Sequence, residues 1–485
     1  MSYRQRADDL GGSAMAAYLT ESPKQRAGLL RQTSEFIVCL TVAVLIYRSW
    51  YVEGYIVPTG SMATTLLGRH RQATCSECGF RFAVGADAPL PTSAVCPNCG
   101  CPDNPLGGQP TISGDRLLVR KTSFTSRLPK RWEVVVFQHP KESHKAYIKR
   151  VAGMPGESIL IHRGNLYING HIQRKTLEQQ RAVSVCVHDN RYRPAASSKL
   201  PPRWQGSDST SLWQMKGGGF SHPDRSPVIN PPRNQDAIDW LRYRHWRRTP
   251  GHSKQVEEVP ITDNCGYNQS VSRVLNHVSD LMLRCHVRAV GSGSLWWRIS
   301  DGRDQLLARF DPATHKAWLW HNDQIVYEAR PTVSLPAEGV VIEVSQYDRQ
   351  FLMAVGGTLV FEPYAYAESS KPYHPTSRPV AIGVTRLEAE VSKLQLFRDV
   401  YYTQPTFVPH PWAVERPYQL GDDEYFMLGD NSPVSEDSRA WPESPAVPAE
   451  LLVGRPIVVH LPSREAVWGS FHFQVPDTKR MRYIR

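Results

Sequence analysis

The chain has 485 residues, 41% of them hydrophobic and 21% charged, a composition of folded material that excludes wholesale disorder, a stapled peptide and a multi-span membrane protein. Lys and Arg number 57 against 46 Asp and Glu, a formal charge of +11. These cations are scattered, and no basic block is interleaved with aromatics, so the pattern does not read as a nucleic-acid groove. With 38 Pro, 33 Gly and 13 Trp, strands and turns are favoured over long helices, and the expected fold class is mainly β.

Residues 1–33 are polar, with Arg4, Arg6, Lys24, Arg26 and Arg31, and read as a cytoplasmic tail. Phe36 to Tyr47 is a charge-free apolar run of 12 residues, followed by Arg48, Ser49, Trp50 and Tyr51. Bulky residues stand where a cleaved signal needs small ones. Arg48 can snorkel, Trp50 and Tyr51 suit a membrane interface, and the upstream cations favour an inside N-terminus. Residues 34–52 are therefore expected to be an uncleaved single-pass transmembrane helix, with everything after about residue 52 outside.

Four extended segments follow in order: Tyr55-Ile-Val-Pro-Thr-Gly-Ser61-Met62, Gly114-Asp115 leading into a strand to Lys121, Tyr147-Ile-Lys149-Arg150-Val-Ala-Gly153-Met-Pro155-Gly156, and Gly429-Asp430 through Ser435 to Arg439. Each alone is a weak pattern. As an ordered set behind an apolar run, they resemble the bacterial type I signal peptidases, membrane-bound Ser/Lys endopeptidases. The resemblance implies a nucleophile at Ser61, a general base at Lys149, an oxyanion-hole hydroxyl at Thr59 (where the family more often has Ser), and a lysine-orienting hydroxyl at Ser435. It implies a bracing pair at Asp437 and Arg439, supported by Arg150 and Asp430. Val57, Pro58, Met62, Leu66, Tyr147 and Ile148 would line shallow pockets for preproteins cut after small-x-small sites. The implied location is the bacterial cytoplasmic membrane, with the catalytic domain outside and membrane lipid as a partner; no cofactor is implied for catalysis.

The chemistry itself asks for these residue types. A serine hydroxyl is a poor nucleophile until a base removes its proton, and a lysine serves only when neutral. From an ordinary value near ~10.4, activity near neutral pH needs a fall of about 3 units, which desolvation supplies with the right sign. Tyr147, Ile148 and Val151 around Lys149 are the apolar surroundings that this requires.

Two inserts interrupt the catalytic strands, so the expected catalytic β domain is assembled from residues 53–70, 111–180 and 403–465. Residues 71–110 carry Cys75-x-x-Cys78 and Cys96-x-x-Cys99, 17 residues apart and each followed by Gly, the spacing of a zinc ribbon with four thiolates for a structural zinc. Outside a membrane the alternative is disulfides, and Cys101 crowds the second pair. Residues 185–402 form the larger insert. From about 283 onwards, short alternating strands such as Leu306 to Phe310, Val340 to Val344 and Val391 to Phe397 suggest an antiparallel β-sandwich resembling the concanavalin/laminin-G-like jelly roll. A carbohydrate ligand, a protein ligand and a spacer role all stay open for it, and Cys186, Cys265 and Cys285 leave room for one disulfide. Residues 466–485 read as a basic tail. Two other functions share these features: a tethered carbohydrate-binding or scaffold protein on an inactive protease fold, and a self-cleaving Ser/Lys repressor-type protease.

Overall fold

The computed structural model describes residues 23–195, 199–223, 238–249, 252–460 and, near the C-terminus, 463–469, 471–476, 478 and 481–484. The first 22 residues of the expected cytoplasmic tail lie outside the described residues. The chain divides into Met1–Glu53 and Gly54–Arg485.

In the first unit a helix runs over Pro23–Trp50, and Phe36, Ile37, Val38, Leu40 and Leu45 on its apolar run are exposed. Among the described residues no helix is long and apolar enough to cross a membrane, which departs from the expected span over 34–52. The physical reason is length: a run of 12 residues rises about 18 Å at 1.5 Å per residue, against a hydrocarbon core of about 30 Å.

Strands of the expected catalytic domain make an eight-stranded sheet in the order Val52–Ile56, Arg116–Arg120, Leu452–Val459, Val134–Gln138, Ala146–Gly153, Glu424–Leu428 and Ala446–Pro448, with Arg482–Tyr483 beside Leu452–Val459. Val134–Gln138 is β-branched and aromatic, and it is buried along its first four residues because strands cover both its edges. Its partner Ala146–Gly153 pairs Lys149 with Val135 and Ile148 with Val136. A smaller sheet of His171–Ile172, Asn165–Ile168, Ser158–His162 and Tyr418–Gln419 packs its own core of Ile159, Ile161, Leu166 and Leu420.

The larger insert is a sandwich of a nine-stranded and a seven-stranded sheet sharing one core, which includes Trp204, Trp297, Phe310, Ile342, Phe351, Ile382 and Leu396. The strands read from the sequence lie in it, and Asn322-Asp323, both with positive φ, make the two-residue turn between Lys316–His321 and Gln324–Ala329. The sandwich starts earlier than residue 283, however. Val185–Asp189 and Gly219–His222 pair with Glu388–Arg398, while Trp204–Gly206 and Asp239–Tyr243 extend the other sheet. These early strands are only three to five residues long and show too few alternations for a period to register. A fragment cut at 283 would lose them and open the core, so the sandwich draws its strands from about 185–402.

The three cysteines that leave room for a disulfide, Cys186, Cys265 and Cys285, are all free thiols, with Cys285 inside the sandwich core and Cys265 packed with Ala63 and Tyr267. In the smaller insert the hairpin His70–Thr74 with Arg81–Gly85 is turned by the first Cys pair. The expected basic tail contains strands, Ser463–Trp468 paired with Phe471–Pro476.

Candidate active site

Strand alternation sends Lys149 and Arg150 to opposite faces of the sheet. Arg150 is fully buried and makes a bidentate pair with Asp430 at 2.8 and 2.6 Å, a carboxylate that also accepts from the Thr65 hydroxyl at 2.5 Å. Lys149, only 2% exposed, donates from Nζ to Ser435 Oγ at 3.2 Å. Burial pushes its pKa down to about 8, against the opposing pull of Asp437 and Glu436. A second buried lysine shows the contrast. Lys175 forms ion pairs with Asp348 at 2.9 Å and Asp399 at 2.7 Å, and these carboxylates outweigh its burial and drive its pKa above the ordinary lysine value. Of these two lysines, Lys149 is the one held by a neutral hydroxyl, and it can give up its proton near neutrality.

Ser435 is held by a braced loop. Asp437 and Arg439 are both wholly buried and pair at 3.0 and 2.7 Å. Burial alone would raise the Asp437 pKa, but the guanidinium more than offsets it and holds the carboxyl below its usual range. Asp437 also accepts from Gly429 N–H at 2.9 Å, and Arg439 donates to Ser432 Oγ at 2.8 Å. Gly429 is required by close approach: a Cβ there would sit 2.1 Å from Ser435 Oγ and 2.6 Å from the Ser61 carbonyl oxygen. Gly429→Ala should therefore displace Ser435 and Ser61 together and lower kcat by about 10²-fold, the scale of a 1 Å misplacement, as steady-state kinetics on folded protein will register.

Ser61 sits half-buried in a single 3₁₀ turn, Gly60–Met62, entered from the extended Thr59. Its carbonyl accepts from Asn431 N–H at 3.0 Å, and Gly60 O accepts from the Asn431 side chain at 2.9 Å. Because C=O and N–H of one peptide unit point in opposite directions, holding Gly60 O fixes where Ser61 N–H points. Ser61, Thr59 and Lys149 line one cleft of about 580 Å³, together with Val57, Pro58, Met62, Tyr147 and Ile148. Among the described residues no hydrogen bond joins Ser61 Oγ to Lys149 Nζ. Leu66 departs from its expected pocket role: it is fully buried in the core beside Met62, Leu117 and Val119 and does not line the cleft, because the turn after Met62 carries it inward.

The remaining wall comes from residues that the sequence did not single out. Asp87 of the small insert accepts from Gly60 N–H at 2.8 Å. Tyr267, Asn268, Ser270 and Val271 of the large insert complete the cleft. Asn268 and Asn431 exchange side-chain hydrogen bonds at 2.6 and 2.8 Å. A Cβ on Gly60 would lie 2.1 Å from the Tyr267 ring. Such contacts leave no local pattern in sequence; the nearest signal is Gly60 itself, whose lack of a Cβ is what admits that ring.

The family described as "Signal peptidase, peptidase S26" matches residues 107–209 and 352–461, a span that includes Lys149 and Ser435. The chain is 41% identical over 68 residues to "Probable signal peptidase I-2" of a Synechocystis species, covering 13% of this chain and 31% of that one. With "Signal peptidase I" of Pseudomonas aeruginosa it shares 30% over 140 residues, 28% of this chain and 36% of that one. It thus spans about a third of the length of the curated relatives it matches. A solved structure, carbohydrate-binding module CBM66 of Bacillus subtilis, aligns over 40% of this chain and 93% of that one at 11% identity and a TM-score of 0.25, too distant to carry an argument about the insert.

Proposed function

We propose that this chain, which belongs with the type I signal peptidases, is a serine endopeptidase that removes signal peptides from exported preproteins with Ser61 as nucleophile and Lys149 as base. The observation that carries the reading is a lysine sealed from water, held by a hydroxyl instead of a carboxylate, in the same cleft as a serine on a tight turn. Neutral Lys149 takes the Ser61 proton as Oγ attacks the scissile carbonyl, then returns it to the leaving amine. The oxyanion accepts from Ser61 N–H and the Thr59 hydroxyl, and a water activated by the same lysine releases the acyl group. Glu424–Leu428 pairs with the second half of the lysine strand, at Arg150, Val151 and Gly153. Ala146 to Ile148, which line the cleft, therefore offer an edge on which an extended peptide adds as a strand.

A scaffold on an inactive fold has no use for a buried lysine hydrogen-bonded to a hydroxyl and not ion-paired with a carboxylate, which costs stability unless it serves chemistry. In this reading the chain attaches to the bacterial cytoplasmic membrane through the exposed apolar run of the helix Pro23–Trp50. Flotation with lipid vesicles tests that attachment; protein left wholly in the unbound fraction would reject it.

Replacing Thr59 checks the oxyanion role. Thr59→Val should lose about 2.7–4 kcal/mol of transition-state stabilisation, roughly 10²- to 10³-fold in kcat, while Thr59→Ser stays near wild type. Equal activity in all three enzymes would remove Thr59 from the mechanism.

A further inference from the structure

We propose that Cys75, Cys78, Cys96 and Cys99 hold one structural Zn²⁺, and that this ion fixes the wall of the cleft against which the Ser61 turn rests. The four Sγ atoms lie within 4.8 Å of one another, with Cys75 to Cys99 at 3.5 Å and Cys78 to Cys96 at 3.7 Å. A tetrahedron with metal–sulfur arms of ~2.3 Å has edges of about 3.8 Å, whereas a disulfide requires about 2.05 Å. Four soft thiolates select zinc over the hard cations that prefer oxygen. They also leave no open coordination position, so the ion does no chemistry on substrate. Cys101 lies outside the set, its sulfur 3.6 Å from Ser76 Oγ. Arg248 of the large insert donates to the Cys99 carbonyl at 3.1 Å, approaches Cys99 Sγ at 3.9 Å and pairs with Glu77 at 2.6 Å, so a cation faces the surplus negative charge of the cluster.

Two routes lead from these thiols to the nucleophile. The first Cys pair turns the hairpin His70–Thr74 with Arg81–Gly85, and Asp87, two residues past its end, holds Gly60 N–H. The second pair is tied to the cleft loop of the large insert. Val95 and the Gln269 side chain exchange hydrogen bonds at 3.1 and 3.0 Å, and a Cβ on Gly266 would lie 2.9 Å from the Pro97 ring. That loop presents Tyr267 to Gly60 and Asn268 to Asn431. Gly85 N–H closes the circuit on the Tyr267 carbonyl at 2.9 Å. The ion would thus join both inserts at the point where they meet the catalytic turn, and Asp87 and Asn268 are positioning residues. The metal site stands without the endopeptidase reading; its effect on turnover rests on that reading.

The test uses the full-length protein in detergent or lipid. Metal analysis should find one zinc per chain, and stripping it with a strong chelator should raise hydrogen exchange at residues 85–88 and 266–269. Chelation should also lower kcat for preprotein cleavage at least 10-fold with little change in KM, and Zn²⁺ alone should restore both readouts. Since Cys variants stand to unfold, Asp87→Ala in the zinc-loaded enzyme gives a second arm: kcat falls, zinc content holds, and Asp87→Asn, which keeps an acceptor oxygen, recovers most of the rate. Absence of zinc with the four thiols oxidised would overturn the metal site. Zinc present but exchange and kcat unmoved by its removal would overturn the link to the catalytic turn. A zinc-loaded chain that responds in exchange but cuts no preprotein would instead sink the peptidase reading and leave the metal site standing.

Discussion

Lys149→Arg should be as inactive as Lys149→Ala, each losing roughly 10⁴- to 10⁶-fold in kcat, because a guanidinium keeps its proton at any pH an enzyme survives. Ser61→Ala should match them, and the double variant should lose no more, since the two groups act as one unit. The pH profile follows from the same burial. The active form of the base is the neutral amine, so the rate should rise with pH and level off above the lysine's pKa of about 8. His139 is a histidine that could in principle compete as base, yet burial lowers its pKa and its ring packs against Tyr147 and Trp441. His139→Gln should leave the acidic limb of the profile in place. Substantial turnover by the Lys149→Arg enzyme would return the search for a base to the histidines.

The second large effect concerns stability. Removing Arg439 leaves Asp437 buried and uncompensated, and Arg439→Ala should destabilise the fold by about 3–5 kcal/mol in denaturant unfolding. Arg439→Lys should fall between, because an ammonium cannot make the two-pronged contact with Asp437 while also reaching Ser432. The pH dependence has a definite sign. Asp437 is held below its ordinary pKa in the fold, so its contribution is complete above the unfolded value near ~3.9 and is lost as pH falls through the lower native value. Wild type should therefore lose stability on acidification below about pH 4, and Arg439→Ala should show a weaker acid dependence over that window. An Arg439→Ala protein as stable as wild type would mean that the loop carrying Ser435 is braced elsewhere.

What could be read from the sequence was what lies close together along it. Ser61 with Thr59, Lys149 with its apolar flanks, and Ser435 with Asp437 and Arg439 each sit in one short segment, and so do the two Cys pairs. The sandwich strands after residue 283 were legible because two-residue turns such as Asn322-Asp323 separate clean alternations. Asp87, Tyr267 and Asn268 were not, because they reach Gly60 and Asn431 across 27 to more than 160 residues, and nothing in an isolated Asn or Asp reports a partner that far away. Leu66 misleads for a related reason: its nearness to Ser61 in sequence suggests the pocket, while the turn after Met62 carries it into the core. The flanking Trp, Tyr and Arg make the N-terminal run read as spanning, but flanks do not lengthen its 12 apolar residues.

The central claim is the Ser61–Lys149 pair acting on preproteins, and the most direct measurement is the site of the cut. Purified full-length protein in detergent or lipid, given a preprotein, should release a mature chain whose new N-terminus, read by mass spectrometry, follows a small-x-small sequence, and Ser61→Ala protein prepared identically should release none. An uncut preprotein with folded wild-type enzyme, or the same product from the Ser61→Ala protein, would contradict it.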